Sequence, residues 1–391
     1  MRKHKSDRII GVITVILLVF GLVVIYAIGP MRANFMNAAY GSNYSKDYFF
    51  VHQLISVAIS LVAFFVAFKI PFEKMRKVSK WVIVVGLLAC AALEVFVLIG
   101  SPLASCQLGA CRWINIGSFG SIQPAEILKL GLVFYLAQLV SERKQEGKLE
   151  KNDFWIPFCV VGVLSILFVV YFQQDLGSTV VIVMIMLAIL LMSGMSWKKI
   201  GITLLVLGAF GVLAILVSPH RMERLLTFTS SEGADTYHID NALLAIGTGG
   251  FGGVGVGNTV QATGYLPESI NDSVFAVMGE TFGFLGLMAV LGCFAILLFR
   301  ILRLAEFCGE EEHGLIAVGV FAWVATHVVV NIAAMTGLIP LTGITLPLLS
   351  YGGTSLMFTS FALGLVLQLS CYTRRKVKDE KLTTISMRGV Q

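Results

Sequence analysis

The stretch that decides the fold is IIGVITVILLVFGLVVIYAIG, residues 9–29, in which no side chain is charged. A helix needs about 20 apolar residues to cross a bilayer, so this run is long enough to span a membrane. It is too long for the core of a signal peptide, and no small-residue cleavage site follows it. We therefore interpret it as a retained membrane helix that also acts as its own insertion signal.

Apolar runs of similar length recur along the rest of the chain. Of the 391 residues, 57% are hydrophobic and only 13% are charged, and the mean hydropathy is +0.85. Soluble domains carry about 25% charged residues, so this composition excludes an ordinary soluble enzyme. The net charge of +6 does not indicate nucleic-acid binding, because the basic residues lie in segments between the apolar runs.

The predicted fold class is an all-α polytopic membrane protein, with ten transmembrane helices in a single domain over residues 1–391. Barrel strands would be short segments of alternating polarity, whereas these runs are long and continuously apolar. The predicted spans are residues 9–29, 51–70, 81–100, 124–141, 155–173, 177–195, 199–217, 274–299, 313–335 and 352–372.

The distribution of basic residues predicts the orientation. If the N-terminus is cytoplasmic, 23 of the 29 Lys and Arg residues fall in cytoplasmic segments and five fall outside. This bias follows the positive-inside rule and predicts that both termini are cytoplasmic. It also predicts a large extracytoplasmic loop at residues 218–273, between the seventh and eighth helices, and a basic cytoplasmic tail at residues 374–391.

The large loop is long, and loops of this size are usually functional. An apolar stretch at residues 241–246 could lie at the membrane surface as a short amphipathic helix. Seven glycines follow between residues 247 and 257. Residues 250–255 match the GxGxxG pattern, but a dinucleotide site also needs a preceding strand and a βαβ unit. We interpret these glycines as permitting close backbone approach or a flexible gate.

Charged residues beside an apolar span are functional candidates, because burying them in a membrane is costly. Glu126 and Lys129 lie at the outer start of the fourth span, three residues apart on one helix face. They could form a structural ion pair or hold a polar ligand at the membrane surface. Arg112 and Trp113 precede them as further ligand-binding candidates, although Trp113 could simply belong to an aromatic belt.

Arg221 and Arg224 are the only basic residues in the large loop. Arginines on the outer side run against the charge bias, and a guanidinium fork matches phosphate oxygens. They are therefore candidates for clamping a phosphate. Alternatively, they pair with acidic side chains of the same loop, which are Glu223, Glu232 and Asp235.

Two carboxylates flank the start of the eighth span. Asp272 faces low dielectric on one side, which can raise its pKa toward the range of a general base, although a helix N-cap would also explain it. Glu280 lies two turns deeper and must be paired or face a polar cavity. Asp175, in a short outer turn, is better explained as the N-cap of the sixth span. His327 and Asn331 are expected to hydrogen-bond between helices.

The seven cysteines show no spacing typical of a metal site, and no metal ligands are predicted. Cys106 and Cys111 share a predicted outer loop, where they could form a disulfide or remain two free thiols. No carboxylate cluster requires a divalent cation, so no cofactor is predicted beyond an optional Mg²⁺ or Mn²⁺. The charged groups gather on the outer face beside apolar walls, which suits an amphiphile with a charged head and a lipid tail.

In their order along the chain, several motifs resemble the SEDS family of bacterial cell-wall proteins, which includes FtsW, RodA and SpoVE. The resemblance covers nearly the whole chain and is slightly stronger to the division branch, FtsW. The matching stretches are residues 111–117, 122–130, 174–178, 245–250, 265–268, 272, 279–280 and 343–353.

The resemblance implies a fold of ten helices and a peptidoglycan glycosyltransferase that acts on lipid II. It also implies a partner, a class B penicillin-binding protein that crosslinks the new strand. Asp272 matches the family's essential aspartate, and Arg221 lies in the corresponding part of the large loop. Glu126 and Lys129 match the family's conserved polar pair.

The chain departs from the family pattern close to that aspartate. Ile270 and Asn271 stand where His-Thr is frequent, and Ser273 replaces an aromatic residue. His238 and Asn241 each stand where a glutamine is common. These departures predict an altered acceptor pocket rather than a lost activity, because the aspartate itself remains.

The predicted reaction is an inverting glycosyl transfer on the outer face of the cytoplasmic membrane. The 4-hydroxyl of the acceptor sugar attacks the anomeric carbon of the donor, and undecaprenyl diphosphate leaves. Asp272 would accept the hydroxyl proton as general base. Lys129, with Arg221 or Arg224, would stabilise the charge that grows on the diphosphate.

Two other functions are compatible with a membrane protein that handles this lipid. A lipid II flippase would need a polar path through the membrane, for which Glu94, Glu280 and His327 are the candidates. A non-catalytic scaffold for the penicillin-binding protein would tolerate neutral changes at Asp272.

Overall fold

The computed structural model describes residues 6–107, 110–117, 120–230 and 234–372, and the chain is mostly helical there. The predicted tail at residues 374–391 lies outside the described residues. The helices are α1 (Arg8–Tyr40), α2 (Tyr48–Lys69), α3 (Phe72–Leu98), α4 (Pro124–Gln145), α5 (Asn152–Leu167, continuing as a π-helical turn at Phe168–Phe172), α6 (Leu176–Met192), α7 (Trp197–Leu216), α8 (Pro219–Ser230), α9 (Ala234–Thr248), α10 (Val274–Phe307), α11 (Glu311–Met335) and α12 (Gly353–Leu369).

A small antiparallel sheet connects α3 to α4. Its strands, in spatial order, are β1 (Ala104–Gln107), β2 (Ala110–Asn115) and β3 (Ser121–Ile122). Cys106 lies opposite Cys111 in the pairing of β1 with β2, and their sulfurs form a disulfide. Of the two alternatives for these cysteines, the structure therefore contains the disulfide.

The predicted fold class is confirmed. Within the described residues, eight helices are long and apolar enough to cross a membrane, and α6 is apolar but shorter. In addition, α7 is an apolar helix of 20 residues. Each of the ten predicted spans falls on one of these ten helices, while the number of actual membrane crossings stays a prediction.

Helices α4 and α11 form the centre of the bundle. The buried share of the most apolar window is 89% in α4 and 72% in α11, compared with 28% in α2 and 22% in α3. A helix that is apolar and largely uncovered is suited to contact lipid, whereas a helix that is covered on most sides belongs to the core. Polar side chains on α4 and α11 must therefore find partners inside the protein.

The glycine-rich segment of the large loop packs against a break in α10. Gly283 has φ 67° and ψ −166°, which interrupts the helix. Phe284 N–H donates to Gly250 O at 2.9 Å, and three further backbone hydrogen bonds join the same two segments. A Cβ on Gly283 would lie 2.3 Å from the backbone nitrogen of Gly253. These glycines therefore permit close backbone approach, which satisfies the backbone groups that the break exposes.

The second half of the large loop folds back over the start of α10. The predicted apolar stretch at residues 241–246 lies within α9, and α9 packs against both α10 and α11. This arrangement brings the loop next to the turn that precedes α10, where the candidate site lies.

Candidate active site

Asp272 lies in the turn that leads into α10. The carbonyl of Glu268 accepts hydrogen bonds from Asn271 N–H (2.9 Å) and Ser273 N–H (3.3 Å), which closes this turn. Ser273 is the N-cap residue of α10, so the helix-cap alternative for Asp272 is wrong. The side chain of Asp272 is therefore available for another role.

The carboxyl group of Asp272 has an unusual environment. Its Oδ1 is buried without a hydrogen-bond partner among the described residues. Burial, followed by the negative charge of Glu268, raises the pKa of Asp272 to about 7, while hydrogen bonds from its own backbone and from Ser273 act in the opposite direction. A carboxylate that titrates near neutral pH is matched to proton abstraction at that pH.

Asn331, on the buried helix α11, holds the backbone of Asp272. Its Nδ2 donates to Asp272 O at 2.7 Å and to Ile344 O at 2.7 Å. The predicted partner was another helix, but both acceptors lie in connecting segments, the turn before α10 and the loop after α11. One acceptor is the main chain of the candidate base, which the sequence did not indicate.

His327 lies one helical turn from Asn331 and connects to the fourth helix. Its Nδ1 is 3.2 Å from Thr345 O, and its Nε2 is 3.2 Å from Lys129 Nζ. Because the ammonium group has only protons to donate, Nε2 is the acceptor and Nδ1 carries the hydrogen. His327 is thus a neutral bridge between α4 and the loop that follows α11.

Glu126 and Lys129 form a buried ion pair. Lys129 Nζ is 2.7 Å from Glu126 Oε1. The side chain of Lys129 is 0% exposed and that of Glu126 is 2% exposed. Lys129 Nζ also lies 5.1 Å from the centre of the Trp323 ring. The structure therefore favours the ion-pair alternative, and direct contact of Lys129 with a lipid headgroup would require this region to open.

The three candidate arginines each donate to a backbone carbonyl of another segment. Arg112 Nη2 is 2.9 Å from Gln174 O, and Arg224 Nη1 is 3.4 Å from Leu341 O. Arg221 donates to Val170 O. The alternative pairing partner Glu232 lies outside the described residues, and the side chains of Glu223 and Asp235 are not described either.

The loop between α11 and α12, residues 336–352, links these elements. Its backbone carbonyls accept hydrogen bonds from Arg224 and Asn331 and lie within hydrogen-bond distance of His327. In return, Tyr351 N–H donates to the turn of the candidate base at 2.8 Å. The loop contains the last stretch of the family resemblance, and it contacts both His327 and the turn of Asp272.

The turn before α6 is organised by Asp175. Its Oδ1 accepts from Ser178 N–H at 2.9 Å, and its Oδ2 accepts from Gln123 at 3.1 Å. The interpretation of Asp175 as an N-cap is confirmed. Trp113, which is half-buried on β2, lies next to the arginine that binds the same turn.

Glu280 is buried and binds backbone rather than another side chain. Its Oε1 accepts from Val260 N–H (2.6 Å) and Gln261 N–H (3.0 Å), and its Oε2 accepts from Ala262 N–H (3.3 Å). The prediction that Glu280 is paired or faces a polar cavity is confirmed, and its partners are three backbone amides. The carboxylate anchors the large loop to α10, and the three amides occupy both of its oxygens.

Two contacts near Asp272 were missed in the sequence. Arg32, in the C-terminal part of α1, lies 3.6 Å from Glu268, the residue whose charge acts on Asp272. His238 Nε2 on α9 lies 2.6 Å from Ser273 Oγ. The signal that could have suggested the second contact is that both positions depart from the family pattern.

No group of three or more His, Cys, Asp or Glu side chains that could hold a metal ion occurs in the part of the chain that the structure describes. The candidate site is centred on the half-buried carboxylate of Asp272, whose turn is held by Asn331 and Tyr351.

Comparison with protein families gives one match over most of the chain. The model for the FtsW, RodA and SpoVE family, described as a cell cycle protein, matches residues 8–375. A probable peptidoglycan glycosyltransferase FtsW of Coxiella burnetii is 34% identical over 83% of this chain and 87% of its own. Stage V sporulation protein E of Bacillus subtilis is 32% identical over 95% of this chain and 99% of its own.

Solved structures show the same fold. A chain from a peptidoglycan synthase complex, described as coordinating polymerization and crosslinking, superposes with a TM-score of 0.73 at 23% identity, covering 93% of this chain and 97% of that one. The rod shape determining protein RodA of Thermus thermophilus superposes with a TM-score of 0.67 at 22% identity, covering 94% of this chain and 98% of that one.

Proposed function

Because the chain belongs to the FtsW, RodA and SpoVE family of cell cycle proteins, we propose that it is a peptidoglycan glycosyltransferase that polymerises lipid II. The observation that carries this proposal is the carboxylate of Asp272. It is partly shielded from water, its pKa is raised to about 7, and α11 holds its main chain in place. Those are the properties that a general base at neutral pH requires.

In the proposed step, the 4-hydroxyl oxygen of the acceptor sugar attacks the anomeric carbon of the donor. The new C–O bond forms as the bond to undecaprenyl diphosphate breaks, with inversion at that carbon. Asp272 takes the hydroxyl proton, which contributes about 10²–10⁴-fold to the rate for a well-placed base. The diphosphate carries away the electron pair of the broken bond.

Arginines are proposed to receive the growing charge on the diphosphate. Arg112, Arg221 and Arg224 each carry five N–H donors in a fork that matches phosphate oxygens, and preorganised donors stabilise charge that develops in the transition state. Trp113 would position the headgroup at the membrane surface. A Mg²⁺ or Mn²⁺ ion held partly by the diphosphate is compatible with this arrangement.

The buried residues are proposed to support the site from inside. Glu126, Lys129 and His327 connect α4 to α11, and α11 in turn fixes the turn of Asp272. Glu280 would position the large loop through its three backbone amides. In this assignment the buried charges set geometry, whereas Asp272 and the arginines meet the substrate.

The partner we propose is a class B penicillin-binding protein, which would crosslink the strand that this chain polymerises. The chain is an integral protein of the bacterial membrane, and we propose that both termini are cytoplasmic, as the basic residues predict. A flippase has less support, because two candidates for its polar path, Glu280 and His327, have protein partners. A mere scaffold would not need a base at residue 272.

The test is lipid II polymerisation by the purified full chain with its transpeptidase partner in detergent. We expect glycan polymer from the wild type, no polymer from Asp272→Asn, and wild-type polymer from Asp240→Asn, an exposed carboxylate on α9. Equal polymer from wild type and Asp272→Asn would remove this residue from the mechanism. Lipid II translocation in liposomes without any polymer would favour the flippase instead.

A further inference from the structure

His238 and Ser273 form a buried hydrogen-bonded pair beside the candidate base. His238 is 8% exposed and Ser273 is 0% exposed, and His238 Nε2 lies 2.6 Å from Ser273 Oγ. Ser273 Oγ also lies 2.8 Å from Pro267 O. Ser273 directly follows Asp272, and its hydroxyl is one of the groups that stabilise the ionised form of Asp272.

The hydrogen positions follow from counting protons. A serine hydroxyl has one proton to donate, and the carbonyl of Pro267 can only accept it. If the hydroxyl donates to that carbonyl, Nε2 of His238 must donate to Ser273 Oγ. Both the neutral Nε2–H tautomer and the imidazolium can do so, which means that the contact persists when His238 is protonated.

We propose that His238 is a positioning residue for Asp272, acting through the hydroxyl of Ser273. His238 donates to Ser273 Oγ, so the hydroxyl proton of Ser273 is not used for His238. That proton can then be donated either to the Pro267 carbonyl or to the Asp272 carboxylate. The hydroxyl supports the carboxylate while it is ionised and returns to the carbonyl when the carboxylate has taken the substrate proton. The inference rests on the proposed function, because it assigns a role within that reaction.

Protonation of His238 adds a second effect. A cationic His238 that donates to Ser273 Oγ favours the ionised carboxylate which the same hydroxyl supports, so protonated His238 extends the range of Asp272 toward lower pH. Four other described residues act on this turn: one acidic residue whose charge acts on Asp272, the cation that pairs with that residue, an amide that donates to Asp272 O, and a tyrosine whose backbone N–H donates to Ile270 O. These are Glu268, Arg32, Asn331 and Tyr351.

The experiment compares kcat and KM for lipid II polymerisation as a function of pH, in the full chain with its partner. The variants are His238→Ala, His238→Gln, Ser273→Ala and the His238→Ala/Ser273→Ala pair. His52→Ala is the matched control, because His52 is an exposed histidine at the outer end of α2. A glutamine amide can donate the same hydrogen bond as His238 but cannot be protonated.

We expect His238→Ala and Ser273→Ala each to lower kcat about three- to tenfold with little change in KM, as the loss of one hydrogen bond predicts. The double variant should be no worse than the worse single variant, because both residues act as one unit. His238→Gln should keep wild-type kcat at high pH. The fall of kcat on the acidic side of its pH profile (the acidic limb) should move to higher pH, because no imidazolium is left to favour the ionised form of Asp272. His52→Ala should match the wild type.

Three results would overturn the inference. They are additive losses in the double variant, a His238→Gln profile that matches His238→Ala, or an acidic limb that does not move in His238→Gln. If Ser273→Ala fails to fold, the comparison of His238→Gln with His238→Ala still tests whether the hydrogen bond from residue 238 is required. Wild-type polymer that depends on Asp272 but not on His238 rejects this inference alone, whereas absence of wild-type polymer rejects the proposed function as well.

Discussion

The side-chain amide of Asn331 donates a hydrogen bond of 2.7 Å to the backbone carbonyl of Asp272. The same Nδ2 donates to Ile344 O, also at 2.7 Å, so one amide joins α11, the α11–α12 loop and the turn before α10. Since α11 is a core helix, its side chains are held by packing on most sides. The main chain of Asp272 is therefore fixed relative to the centre of the bundle.

Replacing Asn331 with alanine should loosen the turn of Asp272. One buried and one partly buried carbonyl would lose this donor, and a buried polar group left unpaired costs about 1–3 kcal/mol. We expect a lower unfolding midpoint and at least about a tenfold loss of kcat, because misplacing a base weakens proton transfer. Asn258→Ala is the control, since Asn258 is exposed and its amide donates to Val254 O of its own loop. Wild-type kcat in Asn331→Ala would show that the contact is dispensable.

Glu268 and Arg32 should shift the pH profile in opposite directions. The charge of Glu268 raises the pKa of Asp272, so Glu268→Gln should lower that pKa and move the acidic limb of kcat/KM to lower pH. Arg32 partly neutralises Glu268, so Arg32→Gln should move the limb to higher pH. Lys46→Gln removes a cation from an exposed position between α1 and α2 and should leave the limb in place. Shifts in the same direction would contradict the arrangement.

Gly283→Ala should destabilise the protein strongly. Its φ of 67° disfavours any residue with a Cβ, and that atom would lie 2.3 Å from Gly253 N. Strain of this kind costs about 1–3 kcal/mol before the clash is counted. Gly292→Ala is a control in the same helix, because nothing lies within 4 Å of its Cβ position. Thermal unfolding in detergent should show a large drop for the first variant and none for the second.

Variants of the buried pair Glu126–Lys129 can distinguish a structural role of the pair from direct contact with the substrate. Lys129→Met alone leaves the buried carboxylate of Glu126 unpaired, which should cost about 3–5 kcal/mol. Glu126→Gln combined with Lys129→Met removes both charges and should recover at least about half of the lost thermal stability. We expect polymerisation to return with stability. A double variant that is stable but inactive would show that the pair acts on the substrate itself.

The sequence predicts the helices and the local pairs well. Long uncharged runs specify membrane helices, and the spacing of Glu126 and Lys129 places both on one helix face, which the structure confirms. Asp175 is a cap because its signal is local, within three residues of Ser178. Features that depend on neighbours in the chain can therefore be derived from the sequence.

Contacts between distant segments could not be predicted. His327 and Lys129 are 198 residues apart, and His238 and Ser273 are 35 residues apart, and no periodic pattern reports which helices pack together. The partner of Glu280 was also hidden, because any segment can supply backbone amides and they leave no mark in residue type. The tertiary packing of α9, α10 and α11 decides all of these contacts.

The most direct test of the account is the pH dependence of kcat/KM for lipid II polymerisation in the wild type and in Asp272→Asn. The wild-type value should fall on the acidic side through a group with a pKa of about 7. Asp272→Asn should lose about 10²–10⁴-fold and should show no such limb. If Asp272→Asn polymerises at the wild-type rate, or keeps the same acidic limb, the carboxylate is not the base and the account is contradicted.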